Sequence, residues 1–198
     1  MLRDTAGVVG ILLAGGRSMR FGADKLLHRL ADGTPIAVAS ARRLIAVCPH
    51  TLSVLRPEQA ELRRLLTDVA VDVRLDPECE RGLGNSLACA VRASPEADGW
   101  LVALADMPFL NSSTLHSLIK ALSSGADIVA PVHHGRRGHP VGFSGRWFAA
   151  LSSLHGDIGA RQVLDEHARS ITLIEVDDSG VHRDVDRPDD LPESTDEQ

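Results

Sequence analysis

Residues 8–16 read Val-Val-Gly-Ile-Leu-Leu-Ala-Gly-Gly, an unbroken apolar run that ends in two glycines. A continuous apolar stretch of this length is typical of a parallel strand that is buried on both faces. The paired glycines allow a tight turn and bring backbone N–H groups close to a ligand. The segment therefore predicts a central strand whose loop lies at the edge of a sheet where α/β folds bind ligands.

Strand-like and helical segments alternate along the rest of the chain, at intervals of roughly 20 to 30 residues. The predicted strands are 8–14, 51–55, 71–75, 100–105, 127–132, 140–143 and 171–176, and the predicted helices are 36–47, 57–69, 85–93, 115–122, 146–154 and 160–168. This order predicts a three-layer α/β/α, Rossmann-like fold with a mostly parallel sheet. We assign residues 1–191 to a single domain and expect the polar stretch 192–198 to be disordered.

Composition argues against partners that are nucleic acids or membranes. The net charge is −6 and the chain has no tyrosine, so neither a basic face nor a set of aromatic stacking platforms is expected. The apolar run at the N-terminus is too short to span a membrane. Three scattered cysteines without metal-ligand spacing fit a reducing compartment. We therefore expect a cytoplasmic protein.

The loop after the first strand carries the groups that a triphosphate requires. Successive backbone amides in a glycine-rich turn form an anion-binding concavity, and nearby cations add full positive charge. The loop supplies Gly15, Gly16, Arg17, Ser18, Arg20 and Lys25. It lacks the spacing of a Walker A loop and of a dinucleotide-binding loop. The alternative interpretation is a glycine-rich turn with solvated charges.

Carboxylates follow two other segments. Asp106 comes directly after the apolar residues 100–105, and Mg²⁺ prefers one or two such carboxylates together with phosphate oxygens. A strand-end aspartate more often caps a helix, but residues 111–114 offer nearer capping groups for the next helix. Asp184 and Asp186 form a second acidic pair. Taken alone, this pair reads as a solvated acidic turn.

Residues 13–25 resemble the signature Leu-Ala-Gly-Gly-x-Ser-x-Arg-x-Gly-x-Asp-Lys of nucleotidyltransferases with a glycosyltransferase-A-like fold. The resemblance is strongest to the MobA/MocA-like enzymes that attach a nucleotide to the molybdenum cofactor. It implies catalytic roles for Arg20, Lys25 and Asp106. It also implies a nucleotide site built from Leu13, Ala14, Gly15, Gly16, Arg17, Ser18, Arg20, Lys25, Gly84 and Ser86.

The same resemblance extends to the acidic residues and to a second glycine motif. Ala-Asp-Met-Pro at 105–108 is similar to the family's metal-binding motif, and residues 184–191 are similar to its C-terminal acidic element. By that comparison Asp106 and Asp184 bind Mg²⁺, and Asp186 is the alternative to Asp184 as the second ligand. Residues 82–87 resemble the Gly-x-Gly-x-Ser-Leu stretch beside the nucleotide. The alternative for this stretch is a helix start that Asn85 or Ser86 caps.

Residues 138–143 and 156–161 resemble elements of the molybdopterin cytidylyltransferases on the acceptor side, where Arg136, Arg137 and His139 would meet a phosphate. A charged loop between strands is the alternative. We favour transfer of a nucleotide from CTP to molybdopterin, with release of pyrophosphate. The Leu-Ala-Gly-Gly form is typical of guanylyltransferases, so GTP stays open.

Two further hypotheses remain at this stage. The first is a related transferase that acts on a sugar 1-phosphate or another phosphorylated metabolite. The second is a non-catalytic maturation factor that binds the cofactor and delivers it to its target. A molybdoenzyme that receives the cofactor is an additional candidate partner under either the catalytic or the non-catalytic hypothesis.

Overall fold

The apolar segment at residues 8–14 forms the centre of the sheet. The computed structural model describes residues 7–14, 25–186 and 190. β1 pairs in parallel with β2 on one side and with β4 on the other. The strands are β1 (Val8–Leu13), β2 (Thr51–Leu55), β3 (Asp72–Leu75), β4 (Gly99–Leu104), β5 (Ile128–His133), β6 (Arg136–Arg137), β7 (Val141–Ser144) and β8 (Ile171–Glu175).

The eight strands follow the order β3-β2-β1-β4-β7-β5-β6, and β8 pairs with β5. Most neighbours are parallel, but β7 runs antiparallel to both β4 and β5, and β6 runs antiparallel to β5. The chain reverses at His134 and Gly135, whose φ angles of 50° and 72° suit a tight hairpin. A strand near 140–143 was therefore predicted correctly, whereas β6 was not predicted.

Helices cover both faces of the sheet, which confirms the three-layer α/β/α prediction. The helices are α1 (Ile36–Ile45), α2 (Ala60–Asp68), α3 (Leu83–Ala93), α4 (Ser112–Ser123), α5 (Phe148–Ser152) and α6 (Arg161–Glu166). Leu12 packs towards α1, α2 and α4, while Leu13 packs towards α3, α5 and α6. Within the part of the chain that the structure describes, none of these helices is long and apolar enough to span a bilayer.

Several helices are shorter than predicted. The Gln59 side chain accepts the Arg56 N–H at 3.0 Å, and α2 begins only after this turn. The predicted helix 146–154 divides into a 3-10 turn at Gly145–Trp147 and α5. Positive φ angles at Gly156 and Gly159 prevent α5 and α6 from joining.

The polar residues of strand β2 do not mark a face that is exposed to solvent. All five of its residues are buried, because helices cover both sides of the strand. The Thr51 hydroxyl donates to Cys48 O at 2.6 Å, and the Ser53 hydroxyl donates to Leu12 O at 2.7 Å. Each hydroxyl is thus paired locally, so an alternating sequence fits a strand with no solvent face.

Candidate active site

Asp106 is held at the carboxyl edge of the sheet, beside the loop that follows β1. Leu13 and Leu104 are register partners, and Ala105 N donates to Leu13 O at 3.0 Å. The Ser40 hydroxyl on α1 donates to Ala105 O at 2.9 Å. The ends of β1 and β4 therefore meet, as expected for a ligand site of an open α/β sheet.

Lys25 joins this strand end to the acidic segment near residue 186. Its Nζ lies 2.7 Å from Asp106 Oδ2 and 2.7 Å from Asp186 Oδ1. Burial alone would lower the pKa of Lys25, but the hydrogen bonds and charges of the two carboxylates raise it above its ordinary value. Lys25 is therefore a cation at neutral pH and lies between two anions.

Of the two acidic residues Asp184 and Asp186, it is Asp186 that shares the Lys25 ammonium with Asp106. Between the two acidic residues, Val185 is fully buried, and its N–H donates to Asp106 O at 2.9 Å. This backbone bond fixes the acidic segment against the end of β4. The Asp184 side chain is exposed, and its charge acts on His139. The geometry thus favours Asp186, over Asp184, as the second carboxylate of a site that includes Asp106.

The two carboxylates form a small oxygen-donor set. Asp106 Oδ1 is closed off from solvent and has no hydrogen-bond partner within the described ranges, so this carboxylate has unused acceptor capacity. The Asp186 side chain is 47% exposed. Residues 7–14, 25–186 and 190 contain no group of three or more His, Cys, Asp or Glu side chains that could hold a metal ion. Further ligands would have to come from a substrate or water, as is usual for Mg²⁺.

Asp178, a residue that sequence reasoning missed, ties the acidic segment to the chain that follows Asp106. Its carboxylate is 3% exposed. Asp178 Oδ2 accepts from Asn111 N at 2.9 Å and from the Thr114 hydroxyl at 2.7 Å, and Oδ1 accepts from Gly180 N at 2.9 Å. The Asn111 side chain makes no cap hydrogen bond, so the predicted local cap of α4 is wrong. Asp178 instead holds the start of this helix from a distant part of the chain, through the Asn111 N–H and the Thr114 hydroxyl.

Arg43 fixes the same turn from the other side. Its guanidinium donates to Pro108 O at 2.6 Å and to Leu110 O at 2.7 Å. Two otherwise orphaned carbonyls in the turn after Asp106 are thereby satisfied. The sequence places Arg43 on a predicted helix and gives no sign of these partners.

The second glycine motif packs against the segment at 155–157. Gly84 N donates to Gly156 O at 2.8 Å, and a Cβ on Gly84 would lie 2.8 Å from both Gly156 O and His155 O. The Asn85 side chain accepts from Gly156 N at 2.8 Å, and Ser86 is fully buried. The alternative interpretation, in which Asn85 or Ser86 caps α3, is wrong, because α3 already begins at Leu83 and has no side-chain cap hydrogen bond. Gly84 is needed for close backbone packing.

A cavity of about 410 Å³ opens between β1, β4, β7, α3 and α6. Its wall is largely aliphatic and aromatic, and includes Leu13, Leu83, Leu87, Val102, Leu104, Val141, Phe143, Ile158 and Leu164. The charged and imidazole side chains that line it are Arg137, His139, Arg161 and Asp165. Arg161 Nε lies 3.7 Å from Asp165 Oδ2. The cavity therefore combines an apolar interior with solvent-exposed ionic groups.

His139 stands between the cavity and the carboxylates. Although part of the ring faces solvent, the loss of surrounding water lowers its pKa from the ordinary histidine value. The charges of Asp106 and Asp184 act in the opposite direction, and that of Arg137 adds to the lowering. His139 N donates to Val181 O at 2.9 Å. The ring is therefore mainly neutral at pH 7.

The sequence-predicted residues divide into those that the structure describes and those that it does not. Leu13 and Ala14 are buried at the end of β1, and Leu13 lines the cavity. Gly15, Gly16, Arg17, Ser18 and Arg20 lie outside the described residues, as does the tail 192–198. Arg136 and Arg137 are exposed on β6. The proposed roles of all these residues stay predictions.

Comparisons with known proteins agree with this geometry. Residues 10–171 match the model of the MobA-like NTP transferase domain. The chain is 29% identical to "Purine catabolism protein PucB" of Bacillus subtilis, with 91% of this chain and 92% of that protein covered. It is 27% identical to "Probable molybdenum cofactor guanylyltransferase" of Natronomonas pharaonis, with 85% and 91% covered.

A solved structure shares the fold over nearly its whole length. Rv0371c of Mycobacterium tuberculosis superimposes with a TM-score of 0.79 at 28% identity, with 92% of this chain and 95% of that chain covered. A complex of Rv0371c with manganese superimposes with a TM-score of 0.77 at 26% identity, with coverage of 92% and 95%. With the paired carboxylates and Lys25 at the carboxyl edge of the sheet, these matches show that the chain is a nucleotidyltransferase of the MobA-like NTP transferase family.

Proposed function

We propose that this chain transfers a cytidylyl group from CTP to the phosphate of molybdopterin and releases pyrophosphate, in the cytoplasm and with Mg²⁺. The observation that carries the proposal is the contact of Lys25 with Asp106 and Asp186 at the ends of β1 and β4. A cation beside two carboxylates at this edge suits a triphosphate that arrives with a divalent ion.

The donor set fits Mg²⁺ or Mn²⁺. Both carboxylates contact one nitrogen, so their oxygens lie no further apart than the two contact distances added together. We assign Asp106 and Asp186 as the ligands, with Asp184 as the alternative to Asp186. When bound, the ion would supply charge neutralisation at phosphate oxygens.

Nucleotidyl transfer needs no protein nucleophile at this site. An oxygen of the acceptor phosphate, already ionised at neutral pH, would attack the α-phosphorus of the triphosphate. The bond from that phosphorus to the α–β bridging oxygen would break, and pyrophosphate would leave. Lys25 and Arg20 would hold the β- and γ-phosphates in line and neutralise the growing charge. The chain's contribution is therefore positioning and electrostatics.

The cavity beside the carboxylates favours an acceptor with a flat ring over a sugar 1-phosphate. Among the described residues that line it, there is no Asn, Gln, Ser or Thr to meet the hydroxyl groups of a sugar. Aliphatic and aromatic side chains can instead enclose the two faces of a pterin. Arg137 and His139 at the edge of the cavity are suited to the acceptor phosphate. This arrangement supports molybdopterin as the acceptor.

A second candidate function has the same acceptor, molybdopterin, but uses GTP in place of CTP. The Leu-Ala-Gly-Gly form of the first loop and the similarity to a protein named as a guanylyltransferase favour GTP. Residues 15–24, which form most of that loop, lie outside the described residues. CTP and GTP are therefore to be separated by assay.

The direct test is pyrophosphate release from each of the four ribonucleoside triphosphates with molybdopterin and Mg²⁺. We expect CTP to give the highest kcat/KM, and Asp106→Asn to abolish turnover while the protein still folds. Preference for GTP would select the second candidate. Cofactor binding without pyrophosphate release from any triphosphate would instead indicate a delivery factor. Full activity of Asp106→Asn would refute the assigned role of Asp106.

A further inference from the structure

The Lys25 ammonium occupies the position between the carboxylates that a divalent cation would need. It contacts Asp106 Oδ2 and Asp186 Oδ1, both at 2.7 Å. The other oxygen of Asp106 is closed off from solvent. The Asp106 oxygen that an ion could reach from the cleft is therefore Oδ2, which already accepts a hydrogen bond from the Lys25 ammonium.

The charges of these three groups make joint occupancy unfavourable. Lys25 leaves a net charge of about −1 on the three-residue cluster, whereas the two carboxylates alone would carry about −2. The Lys25 side chain is only 12% exposed, so water screens its repulsion of a second cation weakly. An ion could enter fully only if the ammonium moved away from both oxygens.

We infer that Lys25 acts as an internal counter-ion that keeps the carboxylate pair from binding a metal ion until a triphosphate engages the ammonium. This inference rests on the proposed function, since it needs a triphosphate at the loop that leads into Lys25. Binding of the nucleotide and binding of the metal ion are then coupled positively. By linkage, each must raise the affinity for the other by the same factor.

The coupling would also set the order in which the nucleotide and the metal ion occupy the site. In the nucleotide-free protein the Lys25 ammonium offsets one of the two negative charges, which weakens the repulsion between two partly buried anions. A triphosphate offers Lys25 several anionic oxygens in exchange for two carboxylates. Asp106 and Asp186 then become available together, at the moment when the phosphates also need a divalent ion. The site would therefore be completed by the metal–nucleotide pair and not by free metal.

The test measures Mn²⁺ binding to the nucleotide-free protein by electron paramagnetic resonance of the free ion. Lys25→Met should bind Mn²⁺ at least about tenfold more tightly than the wild type. The gain should disappear in Lys25→Met/Asp106→Asn, which removes a ligand. Equal Mn²⁺ affinity of Lys25→Met and the wild type would overturn the inference.

Two control variants test whether a gain in Mn²⁺ affinity comes from removal of the Lys25 contact or from the loss of any positive charge on the protein. Arg183→Met removes a cation three residues from Asp186, but the Arg183 guanidinium lies over the Phe109 ring, 4.3 Å from its centroid. Lys120→Met removes the chain's other lysine, on α4. Both should change the Mn²⁺ affinity by less than about twofold. A gain in Arg183→Met as large as that in Lys25→Met would overturn the inference.

A second readout follows Lys25 itself in the wild type, and it uses the Lys25→Met variant only to choose the Mg²⁺ concentration. With only two lysines in the sequence, a protein labelled with ¹³C at lysine Cε gives two assignable side-chain signals. Mg²⁺ alone, at concentrations that saturate Lys25→Met, should leave the Lys25 signal in place. Displacement of that signal by Mg²⁺ alone would contradict the inference. Because neither experiment requires turnover, the proposed function can fail in the pyrophosphate assay while this inference holds, or the reverse.

Discussion

Replacement of Asp178 by asparagine should destabilise the fold strongly, because this carboxylate is a buried acceptor for three donors. Asp178 accepts from Asn111 N, the Thr114 hydroxyl and Gly180 N at 2.7–2.9 Å. It is 3% exposed, so water cannot replace a lost partner. The asparagine variant keeps the shape of the side chain and turns one acceptor oxygen into an NH₂ donor.

The magnitude follows from the number of bonds on each oxygen. The amide keeps most bonds if its oxygen takes the Oδ2 position, where it accepts from the Asn111 N–H and the Thr114 hydroxyl, and its NH₂ group then faces the Gly180 N–H. A hydrogen bond to a charged group contributes about 1.5–3 kcal/mol, so the loss of the Gly180 bond and the weakening of the other two should cost about 2–4 kcal/mol. Thr114→Val removes one bond to the same carboxylate and should cost about 1.5–3 kcal/mol. Both changes fall within the usual stability of a domain of this size.

Urea unfolding, followed by the fluorescence of the buried Trp100 and Trp147, measures both losses. The midpoint should fall while the m-value stays constant. The double variant Asp178→Asn/Thr114→Val should be less destabilised than the two single losses added together, because the variants share one hydrogen bond. An Asp178→Asn variant within about 1 kcal/mol of the wild type would refute the assigned role of this carboxylate.

Three further outcomes are expected. Asp186→Asn should lower kcat by about 100-fold or more, and Asp184→Asn by less than about threefold, in the pyrophosphate assay; the reverse pattern would assign the metal to Asp184. Burial raises the pKa of Cys48 to about 12 and that of Cys89 to about 11, so neither thiol should react with a thiol reagent at pH 8 before urea unfolds the chain. Gly84→Ala should cost about 1–3 kcal/mol in urea unfolding, since its Cβ would meet backbone oxygens at 2.8 Å; unchanged stability would contradict that packing.

The architecture was largely predictable because its signals are local. The apolar run at 8–14 is long enough to identify a doubly buried strand, and Asp106 follows directly after another apolar run. The hairpin that introduces β6 was missed because its turn is made by His134 and Gly135, and not by the Asn-Gly or Asp-Gly pair that usually signals a two-residue hairpin. The direction of β7 depends on that reversal, so a local pattern could identify the strand but not its orientation.

The parts of the site that depend on distant contacts could not be predicted. Lys25 and Asp186 are separated by 161 residues, and Asp178 and Thr114 by 64. Sequence similarity ranked Asp184 above Asp186, whereas the contact with Lys25 favours Asp186. Which of two neighbouring carboxylates faces a lysine is decided by the backbone bond from Val185 to Asp106, and no short pattern reports such a bond.

The packing of Gly84 on the 155–157 segment limits how this enzyme could be re-engineered. A chimera could receive the 82–87 stretch from a relative with the aim of changing its base preference. This exchange would also replace the Gly84 side of the backbone contact between Gly84 and Gly156. The other side of that contact, at Gly156, lies two residues before Ile158 in the wall of the cavity that we propose for the acceptor. Grafts that exchange both segments together should fold more often than single-loop grafts. The same contact couples the two segments, so we expect the preferences for nucleotide and acceptor to change together.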